Sequence, residues 1–253
     1  MELLLVFAAR EELGAVFPNA VSPDVVDWPE HEPVSCALEG RSCTVCLTGV
    51  GPVNAAVGVG RALALRPDVG AVVQVGLAGS FDLARAPLGS VWRVQREVWP
   101  EYGLAGSAGV DARALGFPQW TGSRGTVWDS LSLPDPLAAG PEASEKTSGG
   151  WAAQAGLHCD LPATTAITVA GVTGTPERAA RLCSRYGALL ENMEGFAVAL
   201  ACARRGIPLL EVRVVSNLVG SRAPEHRAFG TALERMRPTL QRLLAPRGMS
   251  CMS

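Results

Sequence analysis

The feature that most narrows the fold is the run Val69-Gly70-Ala71-Val72-Val73-Gln74-Val75, which is apolar on both of its alternating faces apart from one glutamine. A strand buried on both sides needs a covering layer above and below it. That is the situation of a parallel strand in an α/β domain rather than of a half-solvated antiparallel one. Leu3 to Ala8, Thr164 to Ala170 and Leu209 to Val215 read as further apolar strands, and Gly89 to Val98 as another. Residues 34–48 suggest a pair of strands ending near Thr48, and Ala188-Leu189-Leu190 a short one. Helical segments alternate with them: Leu13 to Phe17, an Ala-rich stretch after Gly49–Asn54 reaching about Leu65, and Pro176 to Tyr186, opened by Thr175-Pro176-Glu177. Two more follow, Glu191 to Arg205, stopped by Gly206 and Pro208, and Pro224 to about Leu244. This alternation predicts one α/β domain over residues 1–253, with a mixed, largely parallel central sheet and helices on both faces. From about Gly103 to Pro162 the periodicity gives way to Gly, Pro, Ser and Trp, a length of irregular chain that is usually functional or mobile.

Charge and composition remove several classes of function. Hydrophobic residues make up 48% of the 253 positions, too many for a disordered chain. Twenty-two Lys+Arg against 24 Asp+Glu leave a net charge of -2, so no global field recruits nucleic acid or an anionic membrane. The uncharged stretch Ser42–Gly60 holds Pro52, Asn54 and four glycines, and reads as strand, turn and helix rather than a membrane span. The first residues, Met1-Glu2-Leu3, carry an acid where a secretory leader carries bases, which predicts a cytoplasmic protein. Seven cysteines scattered through apolar segments fit reduced core thiols. Cys43 and Cys46 have CxxC spacing without a second pair or a nearby histidine, so no metal site is expected. In Gly49-Val50-Gly51-Pro52-Val53-Asn54, Asn stands where a dinucleotide fingerprint needs its third glycine, and Pro52 lacks a backbone donor. No phosphate loop, HExxH or GxSxG motif occurs, and His31, His158 and His226 show no ligand spacing. No cofactor is expected.

Ligands of open parallel sheets collect at the carboxyl ends of the strands. Here those ends deliver Glu11 and Glu12, then Gly76-Leu77-Ala78-Gly79, then Glu191, Asn192 and Glu194, and finally Ser216 and Asn217. Singly, each acid is ordinarily a helix cap or a solvated first turn. Their convergence is the informative part.

Taken together these segments resemble the nucleoside phosphorylase and nucleosidase superfamily over most of the chain and in the right order. Thr48-Gly49-Val50-Gly51-Pro52-Val53-Asn54-Ala55-Ala56 is similar to its SGIGKxxAA segment, and Gln74-Val75-Gly76-Leu77-Ala78-Gly79 to its [NR]xGSAG loop. Glu191-Asn192-Met193-Glu194-Gly195 with Val212-Arg213-Val214-Val215-Ser216-Asn217 is similar to the nucleosidase pair DMExxA…VRxISD. The form MEG…VRxxSNxV resembles most closely the futalosine hydrolases of the alternative menaquinone pathway. The resemblance implies one α/β domain, homo-oligomeric assembly and cleavage of an N-glycosidic bond in a small nucleoside.

The same resemblance implies roles for particular residues. Glu12 stands at the position of the general base for water, with Glu11 the alternative if the turn is registered one residue differently; Glu194 stands where the ribose hydroxyls are held. Met193 would pack under the sugar; Gly76, Leu77, Ala78, Gly79, Val172, Thr173 and Ser216 would line the substrate site. Phosphorylases place an arginine and a serine where this chain has Gln74 and Leu77, which cannot hold phosphate, so water is the expected nucleophile. Asn217 replaces the aspartic acid that donates to N7 of adenine. A carboxamide offers both a donor and an acceptor, which suits a 6-oxopurine and implies hypoxanthine as the leaving base. Futalosine also bears an aromatic carboxylate on its 5′ side, for which Arg96, Arg124 and Arg222 are candidates. The rival readings are a methylthioadenosine/S-adenosylhomocysteine nucleosidase or purine nucleoside phosphorylase of the same fold, and a nucleoside-binding sensor without catalysis.

Overall fold

The computed structural model describes residues 1–18, 28–107, 109–122, 125–138 and 150–245. The expectation at Arg124 lies outside these. The chain runs β1 (Glu2–Phe7), α1 (Arg10–Val16), β2 (Val34–Leu38), β3 (Arg41–Leu47), α2 (Pro52–Leu65), β4 (Val69–Ser80) and β5 (Val91–Val98). Two small hairpins follow, β6 (Leu104–Gly106) with β7 (Gly109–Asp111) and β8 (Trp120–Gly122) with β9 (Gly125–Val127), then β10 (Ser130–Ser132) and α3 (Trp151–Gln154). The last part is β11 (Ala163–Thr168), α4 (Pro176–Tyr186), β12 (Leu190–Asn192), α5 (Gly195–Arg205), β13 (Leu209–Leu218), a 3-10 turn at Pro224–His226 and α6 (Phe229–Leu244).

The expected mixed sheet is present. Pairings β1–β3, β1–β4, β4–β13, β5–β11 and β11–β12 are parallel, while β2–β3, β4–β12, β5–β10 and β5–β13 are antiparallel. Five of these strands close on themselves: β4 pairs with β13, β13 with β5, β5 with β11, β11 with β12, and β12 with β4 again. Helices cover both faces. Leu5, Phe7, Val73 and Val212 pack with Leu13 of α1 and Met236 and Leu240 of α6. On the other face Leu4, Val6, Val72 and Val215 pack with Val59 of α2 and Val198 of α5. Alternation along each strand sends successive side chains to opposite layers, which is why the buried strands are apolar on both faces.

Several boundaries differ from expectation, among them α1, which starts at Arg10, β12, which is Leu190–Asn192, and β13, which runs on to Leu218. Strand β4 continues through the glycine segment to Ser80, because β13 pairs with it along Gly76, Leu77, Ala78 and Gly79. The helix expected from Glu191 begins at Gly195: Leu190, Glu191 and Asn192 pair with β11, and this tertiary pairing overrides the local helical pattern. The last helix starts at Phe229, preceded by a separate 3-10 turn. Ser42–Gly60 is strand, turn and helix as read, and no helix among the described residues is long and apolar enough to cross a membrane. Within the irregular middle, β10 adds to the edge of β5 and Trp151 of α3 packs against the α1/α6 core. Cys43 and Cys46 are buried in β3, and burial pushes their thiols up to about 11 and about 12.

Helix α4 shows its sequence signals in the structure. Thr175 Oγ1 accepts from the Arg178 amide at 3.3 Å, Pro176 occupies the first turn, and Gly187 ends the helix at φ +62°. Thr175→Ala is therefore expected to lower stability by about 1 kcal/mol in chemical denaturation, with the fold unchanged by circular dichroism.

Candidate active site

A cavity of about 310 Å³ opens at the carboxyl ends of β1, β4, β12 and β13. It is lined by Glu12, Leu77, Ala78, Gly79, Val172, Thr173, Met193, Glu194, Ser216 and Asn217, so segments far apart in the chain meet there. Gly76 is the exception among the expected residues. It lies behind the wall, where a Cβ would stand 2.6 Å from Arg213 Nη1 and 3.1 Å from Glu12 Oε1. Its smallness is what lets those two side chains reach the site.

Glu12 is buried and its neighbour Glu11 is exposed, so the turn presents Glu12 to the cavity. Its Oε2 accepts from the amides of Ala8 (3.0 Å) and Ala9 (3.2 Å), an acid at the third helical position reaching back to the helix start. Its Oε1 accepts from the Leu77 amide at 2.9 Å, across to β4. These amides, with Arg213, favour the carboxylate, but burial and the Glu194 charge outweigh them and raise the Glu12 pKa above its ordinary 4.5. Glu194 Oε1 accepts from the Gly51 amide at 3.0 Å, and its Oε2 lies 3.5 Å from Arg213 Nη1. Gly51 holds that amide in place at φ +99°, a conformation costly for any residue with a side chain.

Beside the cavity, with Asn192 also in its lining, lies a buried polar cluster whose members Glu97, Glu211 and Thr168 sequence reasoning did not single out. Arg213 Nε donates to Glu211 Oε1 at 2.8 Å, and both side chains are almost fully buried. Asn192 Nδ2 donates to Glu97 Oε1 at 2.6 Å, while its Oδ1 accepts from the amides of Glu194 (3.0 Å) and Gly195 (2.7 Å), capping α5. Thr168 Oγ1 donates to Glu97 Oε2 at 2.8 Å and accepts from the Phe196 amide at 2.7 Å. Gly195 admits this cluster, since a Cβ there would sit 2.2 Å from Glu97 Oε1 and 2.4 Å from Glu211 Oε1. Arg213 occurs in the VRxxSN segment, but only its spatial position reveals that it joins Glu194 to Glu211.

Glu191 accepts from the Thr173 amide (2.9 Å) and hydroxyl (2.5 Å), fixing the Val172-Thr173 segment; burial raises its pKa. Asn217 Oδ1 accepts from Ser216 Oγ at 3.0 Å and its Nδ2 donates to Leu218 O at 3.3 Å. One amide hydrogen and one acceptor lone pair remain for a ligand. Of the arginines considered, Arg222 lines the cavity and Arg96 does not; Arg227 and Phe229, which the sequence did not flag, also line it. Among the described residues no group of three or more His, Cys, Asp or Glu is arranged to hold a metal ion.

Burial first, and the neighbouring Glu211 carboxyl second, push Glu97 well above the ordinary glutamate value. A raised folded-state pKa makes Glu97 stabilising below its unfolded value, 4.5, and that contribution is lost as pH rises through the folded value. Glu97→Gln, which keeps the shape and cannot ionise, is expected to flatten this alkaline-side loss in pH-dependent denaturation. Arg213→Met strands buried carboxylates and is expected to cost about 3–5 kcal/mol in the same measurement.

Residues 29–246 match the model of the Phosphorylase superfamily. A futalosine hydrolase of Thermus thermophilus is 34% identical over 235 residues, covering 90% of this chain and 95% of that protein. A futalosine hydrolase of Streptomyces coelicolor is 37% identical over 194 residues, 73% of this chain and 71% of that protein. Among solved structures, a futalosine hydrolase mutant of Helicobacter pylori has a TM-score of 0.66 at 18% identity, covering 96% of this chain and 97% of that one. A 5′-methylthioadenosine/S-adenosylhomocysteine nucleosidase of Colwellia psychrerythraea in complex with adenine has a TM-score of 0.65 at 22% identity, covering 93% and 89%. At those identities the structural likeness speaks for the fold; the family match and the two closer relatives go further, and this chain belongs to the phosphorylase superfamily.

Proposed function

We propose that this chain hydrolyses the N-glycosidic bond of futalosine and releases hypoxanthine, without a cofactor. The observation that carries the proposal is the meeting of Glu12, Glu194 and Asn217 on one cavity, in a chain 34% identical to a futalosine hydrolase along nearly its whole length. Breaking the bond between C1′ and the purine passes through a ribosyl cation, so negative charge beside the ribose stabilises the transition state more than the ground state. Glu194 supplies it and accepts from the ribose hydroxyls, and Met193 packs under the sugar. Water attacks C1′ and gives its proton to Glu12, while the bonding pair leaves with the purine as its anion; that anion takes a proton from solvent to become neutral hypoxanthine, and Glu12 returns its own proton to solvent. Asn217 stabilises the departing base with its free amide hydrogen and accepts from a 6-oxopurine ring, with Ser216 holding its orientation. Glu12 suits the role of base because burial and the neighbouring Glu194 charge raise its pKa above the ordinary glutamate value, in the direction of the operating pH.

Water is favoured over phosphate by the charges in place. Glu12, Glu191 and Glu194 line the cavity, and Arg213 is already engaged by Glu194 and Glu211. A phosphate ion entering there meets carboxylates. The reading extends to one nucleosidase domain over residues 1–253 acting in the cytoplasm as a homo-oligomer. Exposed Val50, Val53 and Val57 around the start of α2, beside an apolar groove with Phe196 and Leu200, support the last point. Sedimentation is expected to return a mass above that of one chain; a monomer at micromolar concentration removes that part of the reading.

Purified protein is expected to release hypoxanthine from futalosine in phosphate-free buffer, resolved by chromatography. Release only with phosphate would turn the reading to a phosphorylase, adenine from methylthioadenosine to the related nucleosidases, and tight binding without turnover to a sensor. Glu12→Gln is expected to lower kcat by roughly 10²–10⁴-fold. In the wild type, kcat/KM should rise as pH climbs through the Glu12 pKa, with the midpoint of that acid limb above 4.5.

A further inference from the structure

The cavity has a charge gradient. Its inner wall carries Glu12, Glu191 and Glu194, whereas the segment after β13 brings two cations, Arg222 and Arg227, to the lining. Phe229, 48% exposed, stands beside them. Neither guanidinium is in an ion pair among the described residues, and Arg222 donates no hydrogen bond there. Arg227 Nη2 donates to the Arg222 carbonyl, which ties the two residues together. The acid of this segment, Glu225, is exposed and does not line the cavity.

Exposed arginines are ordinarily just solvated. These two differ in being mounted on the same backbone as the base-facing amide. Arg227 forms a β-bridge with Asn217, and the Ala228 amide donates to Ser216 O at 2.7 Å. The turn between is braced by Ser221 Oγ, 2.8 Å from His226 Nδ1, and by the Ala223 amide at 3.3 Å from that same hydroxyl. The cationic rim and the purine-facing amide are therefore held at a fixed separation rather than on an independent loop.

We propose that Arg222 and Arg227, with Phe229, form a subsite for an aryl carboxylate carried on the 5′ side of the nucleoside. This rests on the futalosine reading and names the residues that select the 5′ arm. A guanidinium fork matches a carboxylate in geometry and charge, and an aromatic ring beside it takes the aryl face. The arm is the part of the nucleoside remote from the groups that handle base and ribose, so its recognition enters through binding and leaves the bond-breaking step alone.

The test compares futalosine with its methyl ester, in which the carboxylate charge is masked, in the wild type, Arg227→Gln, Arg227→Lys and the Arg222→Gln/Arg227→Gln double variant. Arg227→Gln is expected to raise KM for the acid roughly tenfold and the double variant further, with Lys restoring part of the loss. KM for the ester and the inhibition constant of free hypoxanthine should move less than twofold, which also reports that each variant is folded. Equal losses on acid and ester, or no loss on the acid, overturn the subsite while leaving the hydrolase reading intact. Failure of the wild type to cleave futalosine overturns both.

Discussion

One buried guanidinium organises this molecule. Arg213 stands within reach of Glu194 and Glu211, and Glu12 and Glu97 feel its charge. Charges taken out of water are costly unless paired, so the placement of this one cation decides which carboxyls the interior can hold. Burial, and then the Glu211 carboxyl beside it, push Glu97 well above the ordinary glutamate value. Arg213 is left to anchor Glu211 on one side and Glu194 on the other. The glycines at 76 and 195 follow from this packing, since a methyl group at either would collide with the charged side chains.

The groups that face the cavity also have ordinary structural duties. Glu12 satisfies two amides at the start of α1, and Asn192 satisfies two at the start of α5. A helix cap and a catalytic base are usually weighed as rival explanations for an acid after a strand. In the proposed mechanism one carboxylate does both, because it has two oxygens with two lone pairs each and the amides leave some of them free. The capping bonds give the fixed orientation that a base requires.

Much of this was legible in the primary structure, and the parts that were not share a cause. The layers followed from strands apolar on both faces, and the start of α4 followed from Thr175 and Pro176. Most of the expected lining residues do line the cavity, because the ends of parallel strands are where polar residues after an apolar run must emerge. The misreadings at Glu191 and Gly76 occurred where pairing partners lie far off in sequence, so no local pattern reports them. The role of Glu97 was hidden for the same reason. A glutamate near the end of a strand looks like a surface residue until β13 and α5 are seen to enclose it.

The closed circuit of strands also dictates an order of events during synthesis. Strand β13 fills the gap between β4 and β5, and its Ser216 meets Ala78, 138 positions earlier. Until the ribosome has delivered residues 209–218, β4 and β5 each have an unpaired edge, the kind of edge that invites association with other chains. The same strand carries both Arg213 and Glu211, so Glu97 and Glu194 acquire their buried cation at the moment water is excluded from them. A nascent chain thus passes most of its elongation with an open, hydrated seam, and commits to its final state in one late docking step of high contact order.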